Sequence, residues 1–274
     1  MTSATPVRVA IPGCAGKMGR ALIQAVAATP DLRLAAASER AGADACGQDA
    51  GTIAGLHPLG VTVVDDPGLL LREANGVIDF TAPAATAALA PLCAERGIPM
   101  VVGTTGLGPA ERAVLATAAR TIPIVLAPNT SVGVNVLFEL CTRAAQLLGP
   151  GFAIEIVEAH HGLKVDSPSG TALRLAQVLA EATAEQGDLE ARACYGRKGA
   201  VGARPAAEIG IHAVRGGDIV GEHTVYLCAE GERVELSHRA SSRQTFARGA
   251  VRAIRWLVGR APALYDMQDV LGLR

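Results

Sequence analysis

The run Glu158-Ala-His-His-Gly-Leu-Lys-Val-Asp-Ser-Pro-Ser-Gly-Thr171 places two imidazoles, an ammonium and a Ser-Gly-Thr turn within fourteen residues. An imidazole exchanges protons near pH 7, a lysine supplies fixed positive charge or an acid, and backbone amides at a helix start hold anions. One short loop therefore combines proton transfer with carboxylate recognition. Asp166 is expected to cap a helix starting near Pro168.

A second group lies near the amino terminus, where an apolar strand runs into Gly13-Cys-Ala-Gly-Lys-Met-Gly19. Glycines at this spacing suit a sharp strand-to-helix turn, a close backbone approach and a helix dipole aimed at a pyrophosphate, although a plain glycine-rich turn has the same composition. About twenty residues on, Glu39-Arg40 stands at the end of the next candidate strand, an acid for a ribose hydroxyl beside an arginine for a 2′-phosphate, or a solvated surface pair. Asp79-Phe-Thr81 and Gly103-Thr-Thr-Gly106 also fall at strand ends, the edge where open α/β sheets bind ligands, and turn chemistry competes there too.

These residues need a scaffold, and the pattern of apolar runs supplies one. Candidate strands Val7–Ile11, Leu32–Ala37, Val61–Val64, Gly76–Phe80, Pro99–Val102 and Ile122–Ala127 are interleaved with helical segments such as Met18–Ala28, Ala84–Arg96 and Pro109–Arg120. That order predicts a Rossmann-like, doubly wound parallel sheet. After Ser131 a helix to about Leu148 leads to a strand at Phe152–Ala159, the histidine loop and an alanine-rich helix from Thr171 to about Gln186. Strands at Glu208–Val214, His223–Ala229 and Arg233–His238, split by glycine turns, predict a second α+β domain on a mixed, largely antiparallel sheet.

Residues 187–205 read as a long exposed connection, and Phe246, Ala250, Ile254 and Leu257 share one face of a closing helix that packs back on the first domain. The expected division is residues 1–130 with 241–274 for the dinucleotide and 131–240 for substrate and oligomerisation. His212, His223 and His238 lie in strand-like surroundings and read as core or interface residues, and Arg239-Ala-Ser-Ser-Arg243 as a helix start or a carboxylate contact.

Composition narrows the function. A net charge of −1 argues against long-range attraction to nucleic acid or an anionic membrane, and 3% aromatic residues leave little for base stacking. Six cysteines, at 14, 46, 93, 141, 194 and 228, show no CxxC or Cys/His ligand spacing, so no metal site or disulfide framework is indicated and a reduced, cytoplasmic setting is expected. Met1-Thr-Ser-Ala-Thr-Pro6 does not resemble a secretory signal, and the uncharged stretch from Thr121 to Phe138 is broken by Pro128-Asn-Thr-Ser131, so no span is expected.

Gly13–Gly19, Gly103–Gly106, Pro128-Asn-Thr-Ser-Val-Gly-Val-Asn135, the histidine loop and Arg215-Gly-Gly-Asp-Ile-Val-Gly-Glu-His223 together resemble the 4-hydroxy-tetrahydrodipicolinate (dihydrodipicolinate) reductase family over nearly the whole chain. The His-His-x-x-Lys-x-Asp-x-Pro-Ser-Gly-Thr element is the most specific part. The resemblance implies NADPH- or NADH-dependent reduction of a cyclic dicarboxylate, 4-hydroxy-tetrahydrodipicolinate, to tetrahydrodipicolinate with loss of water, on the diaminopimelate route of lysine biosynthesis, by a homotetramer. It implies His160 and Lys164 as the proton-transferring residues and His161, Gly170 and Thr171 as substrate contacts.

The implied cofactor contacts are Gly13, Cys14, Ala15, Gly16, Lys17, Met18, Glu39, Arg40, Gly103, Thr104, Thr105, Ala127, Pro128, Asn129 and Thr130. Thr130 departs from a phenylalanine common in the family, and Lys17 from a frequent arginine, which keeps the charge and loses the planar fork. Two other functions compete. A hydrolase would use Ser169 with His160 and Asp166, without a GxSxG elbow. A non-catalytic NAD(P)-binding sensor would keep the glycine turn and have no use for His160 with Lys164.

Overall fold

A computed structural model describes residues 6–273, so most of the amino-terminal segment read above for a leader lies outside the described residues. The chain divides into two units, one running to Val132 and resuming at Arg243, the other Gly133–Ser242. Among the described residues no helix is long and apolar enough to cross a membrane.

The first unit opens with β1 (Val7–Pro12), α1 (Lys17–Ala27), β2 (Leu32–Ser38), α2 (Ala50–Ile53), β3 (Val63–Val64), α3 (Pro67–Leu71) and β4 (Gly76–Asp79). It continues through α4 (Pro83–Glu95), β5 (Met100–Val102), α5 (Pro109–Ala118) and β6 (Pro123–Leu126). Side chains of β1, β4, β5 and β6 such as Ile11, Ile78, Val101 and Ile124 are fully buried, which is why these strands read as near-continuous apolar runs.

The second unit is built from α6 (Val132–Leu148), β7 (Ala153–His160), α7 (Gly170–Ala182), α8 (Leu189–Arg192), β8 (Ala193–Tyr195), β9 (Ile209–Arg215), β10 (Gly221–Ala229) and β11 (Glu232–Ala240). A single 3₁₀ turn, Ala184–Gln186, follows α7. The chain then returns to the first unit with α9 (Gln244–Leu257), β12 (Ala263–Tyr265) and α10 (Met267–Leu271).

The first sheet has the order β12-β6-β5-β4-β1-β2-β3, and all its pairings are parallel. Its strand order reverses between β1 and β4, the switch point at whose carboxyl edge ligands bind in open α/β sheets. Helix α9 seals one face of this sheet: Ala247, Ala250, Ile254 and Leu257 join one core with Val9, Ile11, Leu22 and Val26. Burying each large aliphatic side chain contributes about 1.5–3 kcal/mol.

The second sheet has the order β11-β10-β7-β9-β8. Its β7, β10 and β11 strands are antiparallel neighbours, whereas β9 and β8 join in parallel. The segment 187–205 therefore differs from a plain exposed connection. Leu189–Arg192 forms a short helix and Ala193–Tyr195 an edge strand, both too short to leave a periodic signature. Strand β7 alternates strictly: Ile154, Ile156, Glu158 and His160 point inward. The first two pack with Val134, Phe138, Leu175, Leu179 and Val225.

Candidate active site

In the first unit, the loops after β1, β2, β5 and β6 leave the same edge, because parallel strands share a direction. Gly13 ends β1 at φ +64°, a conformation that favours glycine. Gly19 is required for a different reason: a Cβ there would lie 2.2 Å from the Gly13 carbonyl oxygen and 2.6 Å from Cys14 Cα. The first turn of α1 thus lies directly on the glycine turn. Its N-cap, Gly16, provides no side-chain cap, so the leading amides of α1 remain open to an anion beside exposed Lys17.

The Glu39 carboxylate accepts from Ala15 N at 3.2 Å and from Arg40 N at 3.1 Å, which fixes it beside the turn. Arg20 Nε donates to Ala15 O at 2.9 Å. Arg20, Glu39 and Arg40, with Ala15, Asp44 and Gln48, line a recess of about 570 Å³. An acid and two guanidinium groups around an open recess fit the ribose end of a dinucleotide, with or without a 2′-phosphate.

The remaining predicted cofactor residues divide by burial. Cys14 is buried and its thiol is pushed up to about 11 by burial and the nearby Glu39 charge, so it is no nucleophile at neutral pH. Thr104 is buried and its hydroxyl accepts from Thr86 at 2.8 Å, whereas Thr105 is exposed. Gly103 is needed because a Cβ would meet the Phe80 ring at 2.2 Å. Buried Thr130 donates its hydroxyl to Phe246 O at 2.7 Å, so its side chain secures the loop to α9. Ala127 is buried, and Pro128 and half-buried Asn129 lie beside it.

In the second unit the chemistry gathers at the carboxyl end of β7. Glu158 is fully buried and accepts four hydrogen bonds. Arg215 donates through Nη1 and Nη2, each at 2.7 Å, His160 Nδ1 approaches to 2.6 Å, and Ser169 N donates at 3.0 Å. Burial alone would raise this carboxyl group, but these bonds override it and hold it below the ordinary range. The sheet register places Arg215 opposite His160 and His223 opposite Glu158.

His160 is 9% exposed, and burial, with the charges of Lys164 and Arg215, depresses it against the raising effect of Glu158. His223 packs edge-on against it with ring centroids 5.3 Å apart, and its Nε2 lies 3.0 Å from Ser169 Oγ. Burial drives His223 down to about 3, so this ring is neutral at physiological pH. Ser169, not Asp166, is the N-cap of α7, with its Oγ accepting from Ala172 N at 3.1 Å. Asp166 instead pairs with Lys164 Nζ at 2.7 Å, because α7 starts at Gly170 and not near Pro168, which leaves Asp166 three residues short of the cap.

The loop thus brings together His160, His161, Lys164, Gly170 and Thr171 at the end of β7 and the start of α7. His161 N donates to Ile219 O at 2.8 Å, and Lys164 N to His161 O at 3.1 Å. Gly170 is exposed, with open space where a Cβ would stand. Three residues that the sequence did not place in the site belong to this cluster: Glu158, Arg215 and His223. For Glu158 a signal was present, since a carboxylate in phase with inward Ile154 and Ile156 requires buried partners. The hydrolase constellation does not form, as Ser169 Oγ faces His223 and His160 faces Glu158.

A parallel sheet with a glycine turn at its switch point, joined to a unit carrying a histidine-lysine loop, defines a nicotinamide-dependent oxidoreductase. Residues 7–130 match the family model "Dihydrodipicolinate reductase, N-terminus", and residues 133–271 match "Dihydrodipicolinate reductase, C-terminus". The 4-hydroxy-tetrahydrodipicolinate reductase of Anaeromyxobacter dehalogenans strain 2CP-1 is 54% identical over 267 residues, covering 97% of this chain and 98% of the relative. That of Thiobacillus denitrificans is 54% identical over 268 residues, covering 98% and 99%. The solved dipicolinate-bound dihydrodipicolinate reductase from Paenisporosarcina sp. TG-14 superposes with a TM-score of 0.75 at 25% identity, covering 96% and 98%. The chain belongs to the dihydrodipicolinate reductase family.

Proposed function

We propose that this chain reduces 4-hydroxy-tetrahydrodipicolinate to tetrahydrodipicolinate, with loss of water, in the diaminopimelate route of lysine biosynthesis. The single observation that carries the reading is the cluster at the end of β7, where buried His160 and the Lys164 ammonium stand on the loop that ends at the α7 amides. A hydride transfer on its own needs neither proton donor; reduction of a conjugated imine needs one.

The cofactor is NADPH or NADH, which supplies the hydride when bound. Gly13, Cys14, Ala15, Gly16, Lys17 and Met18 would hold the pyrophosphate through backbone amides and the Lys17 charge, and Glu39 with Arg40 the adenosine ribose. Gly103, Thr104, Thr105, Ala127, Pro128, Asn129 and Thr130 would border the nicotinamide. For buried Cys14, Thr104, Ala127 and Thr130 the contribution is through the backbone.

Reduction of a conjugated imine leaves an electron-rich enamine whose neighbouring carbon takes a proton. His160 and Lys164 are assigned to that transfer, with His161, Gly170 and Thr171 binding the substrate carboxylates through an imidazole and the open first turn of α7. The side of the second sheet away from the α6 and α7 core carries half-buried Val157, Ala159, Thr224 and Tyr226, a face open to association. The assembly proposed is the homotetramer, in the cytoplasm, that the family resemblance and the cysteine usage lead one to expect.

The test is a coupled assay fed with pyruvate, aspartate semialdehyde and the preceding synthase. Synthase-dependent oxidation of NADPH or NADH is expected, and His160→Gln and Lys164→Ala should lower kcat far more than cofactor affinity. Cofactor binding without turnover would favour the sensor reading, and unchanged turnover in both variants would overturn the assignment. Sedimentation analysis tests the tetramer.

A further inference from the structure

We propose that Glu158, held as a carboxylate by Arg215, is a positioning residue that fixes the tautomer of His160 and leaves Nε2 as its only working nitrogen. An ionised carboxylate accepts hydrogen bonds and cannot donate them. Glu158 receives both arms of the Arg215 guanidinium and the Ser169 amide, so it is the acceptor toward His160 Nδ1 at 2.6 Å as well. Nδ1 therefore carries hydrogen whether the ring is neutral or charged. Every proton His160 gains or releases passes through Nε2.

The opposite edge of the ring is kept clear to match. Gly221 lies beneath Nε2, where a Cβ would approach to 3.0 Å. Among the described residues no side chain hydrogen-bonds to that nitrogen, whereas Nδ1 is fully engaged.

Arg215 has a second effect. A carboxylate alone would draw His160 toward the imidazolium; burial of the ring outweighs that pull, and the Lys164 and Arg215 charges act in the same direction as burial, so the ring stays below its ordinary range and can release its proton. The charged and titratable groups acting on His160 are Glu158 on its own strand, Arg215 on β9, His223 on β10, and Lys164, itself paired with Asp166, on the following loop. Of these, His223 is kept neutral by burial and does not compete for the proton. Ser169 ties the bracket to the substrate end of the site, because its amide is held by Glu158 while its hydroxyl caps α7 ahead of Gly170 and Thr171.

The inference rests on the reading of His160 as a proton-transferring residue, and its first test does not use activity. In ¹⁵N-resolved NMR of the full-length protein, the neutral His160 ring should show a protonated Nδ1 and an unprotonated Nε2. An Nε2–H tautomer, or two forms in exchange, would overturn the proposal. In the coupled assay Glu158→Gln should lower kcat by about 10–100-fold, as loss of an orienting carboxylate does elsewhere, with cofactor KM within about twofold. The pH feature assigned to His160 should move to lower pH, since the Arg215 cation would then stand without its anion.

Glu158→Asp keeps the charge and should hold that feature near its original position. A Glu158→Gln enzyme with unchanged kcat and an unmoved pH profile refutes the positioning role. If Glu158→Gln does not fold, the wild-type tautomer decides. A correct tautomer in a protein without reductase turnover would sink the functional assignment and leave the positioning intact.

Discussion

Gly249→Ala offers a decisive test of how α9 meets the loop after β6, because two effects of opposite sign act on one methyl group. Alanine in place of glycine inside a helix ordinarily stabilises it by about 1 kcal/mol. Here the added Cβ would lie 1.7 Å from Thr130 O and 2.7 Å from Thr130 C. That is about 1.3 Å inside the 3.0 Å limit that real Cβ atoms respect. The obstructing atom is backbone, and the Thr130 hydroxyl bond to Phe246 O pins the loop to the same helix, so neither side yields by a rotamer change.

Overpacking costs about 1–3 kcal/mol, and more where nothing can move. Taking the upper end and subtracting the helix gain leaves a net loss of about 2 kcal/mol. For a chain of this size that lowers Tm by about 4–8 °C. Cofactor titration by fluorescence should show weaker binding as well, since Thr130 closes the loop expected to border the nicotinamide. Gly151→Ala, with open space around its Cβ and no positive φ, is the control and should leave Tm unchanged. A Gly249→Ala protein as stable as the wild type would refute the close approach.

Acid should destabilise the fold by a predictable route. His223 has a folded pKa of about 3, below its ordinary 6.5, so the unfolded chain binds the extra proton and stability falls as pH drops from about 6.5 toward 3. Denaturant titrations should show a slope of at most about 1.4 kcal/mol per pH unit from this ring, reduced in His223→Asn. Glu158, held low by its donors, loses its stabilising contribution in the same direction below the ordinary carboxylate range. Arg215→Ala should cost about 3–5 kcal/mol by leaving a buried carboxylate short of its bidentate partner, and adding Glu158→Gln should recover part of that loss in the same melts. Arg40→Ala should weaken NADPH by roughly 10–100-fold, the worth of a charged hydrogen bond of about 1.5–3 kcal/mol, and change NADH little; equal losses for both would place the arginine elsewhere.

The parts of the fold that could be read in advance are those whose signal is local. The apolar runs of β1, β4, β5 and β6, the Gly13–Gly19 turn and the loops at strand ends follow from a parallel βα grammar in which function gathers at one edge. Strand β12 and strand β8 could not be read, since three residues at a sheet edge carry no periodicity and exist through their register with β6 and β9. The Val61–Val64 strand shrinks to Val63–Val64 because the Val61 amide of the preceding residues bonds elsewhere, with Val61 N reaching the Asp49 carboxylate at 3.2 Å. The sequence reads His223 as a core or interface residue; it is 3% exposed, and the opposing register of β7 and β10 makes it a neighbour of the His160 ring. Only pairing between distant strands reveals that.

The placement of an ion pair inside this site is better explained by position than by stability. A buried arginine–carboxylate pair is about neutral against well-packed apolar residues, since desolvation offsets attraction. An apolar side chain at 158 would continue the inward series of Ile154 and Ile156 and satisfy the core. What it would not do is orient anything. By continuing the inward phase with a carboxylate, β7 carries the rigidity of its packed half to the ring two residues on, and through the Ser169 amide to the first turn of α7. The imidazole and the leading amides of α7 are thereby referred to one buried atom group rather than to a solvent-exposed loop, which is how a run containing exposed Leu163 and Val165 can still hold its two ends in fixed geometry.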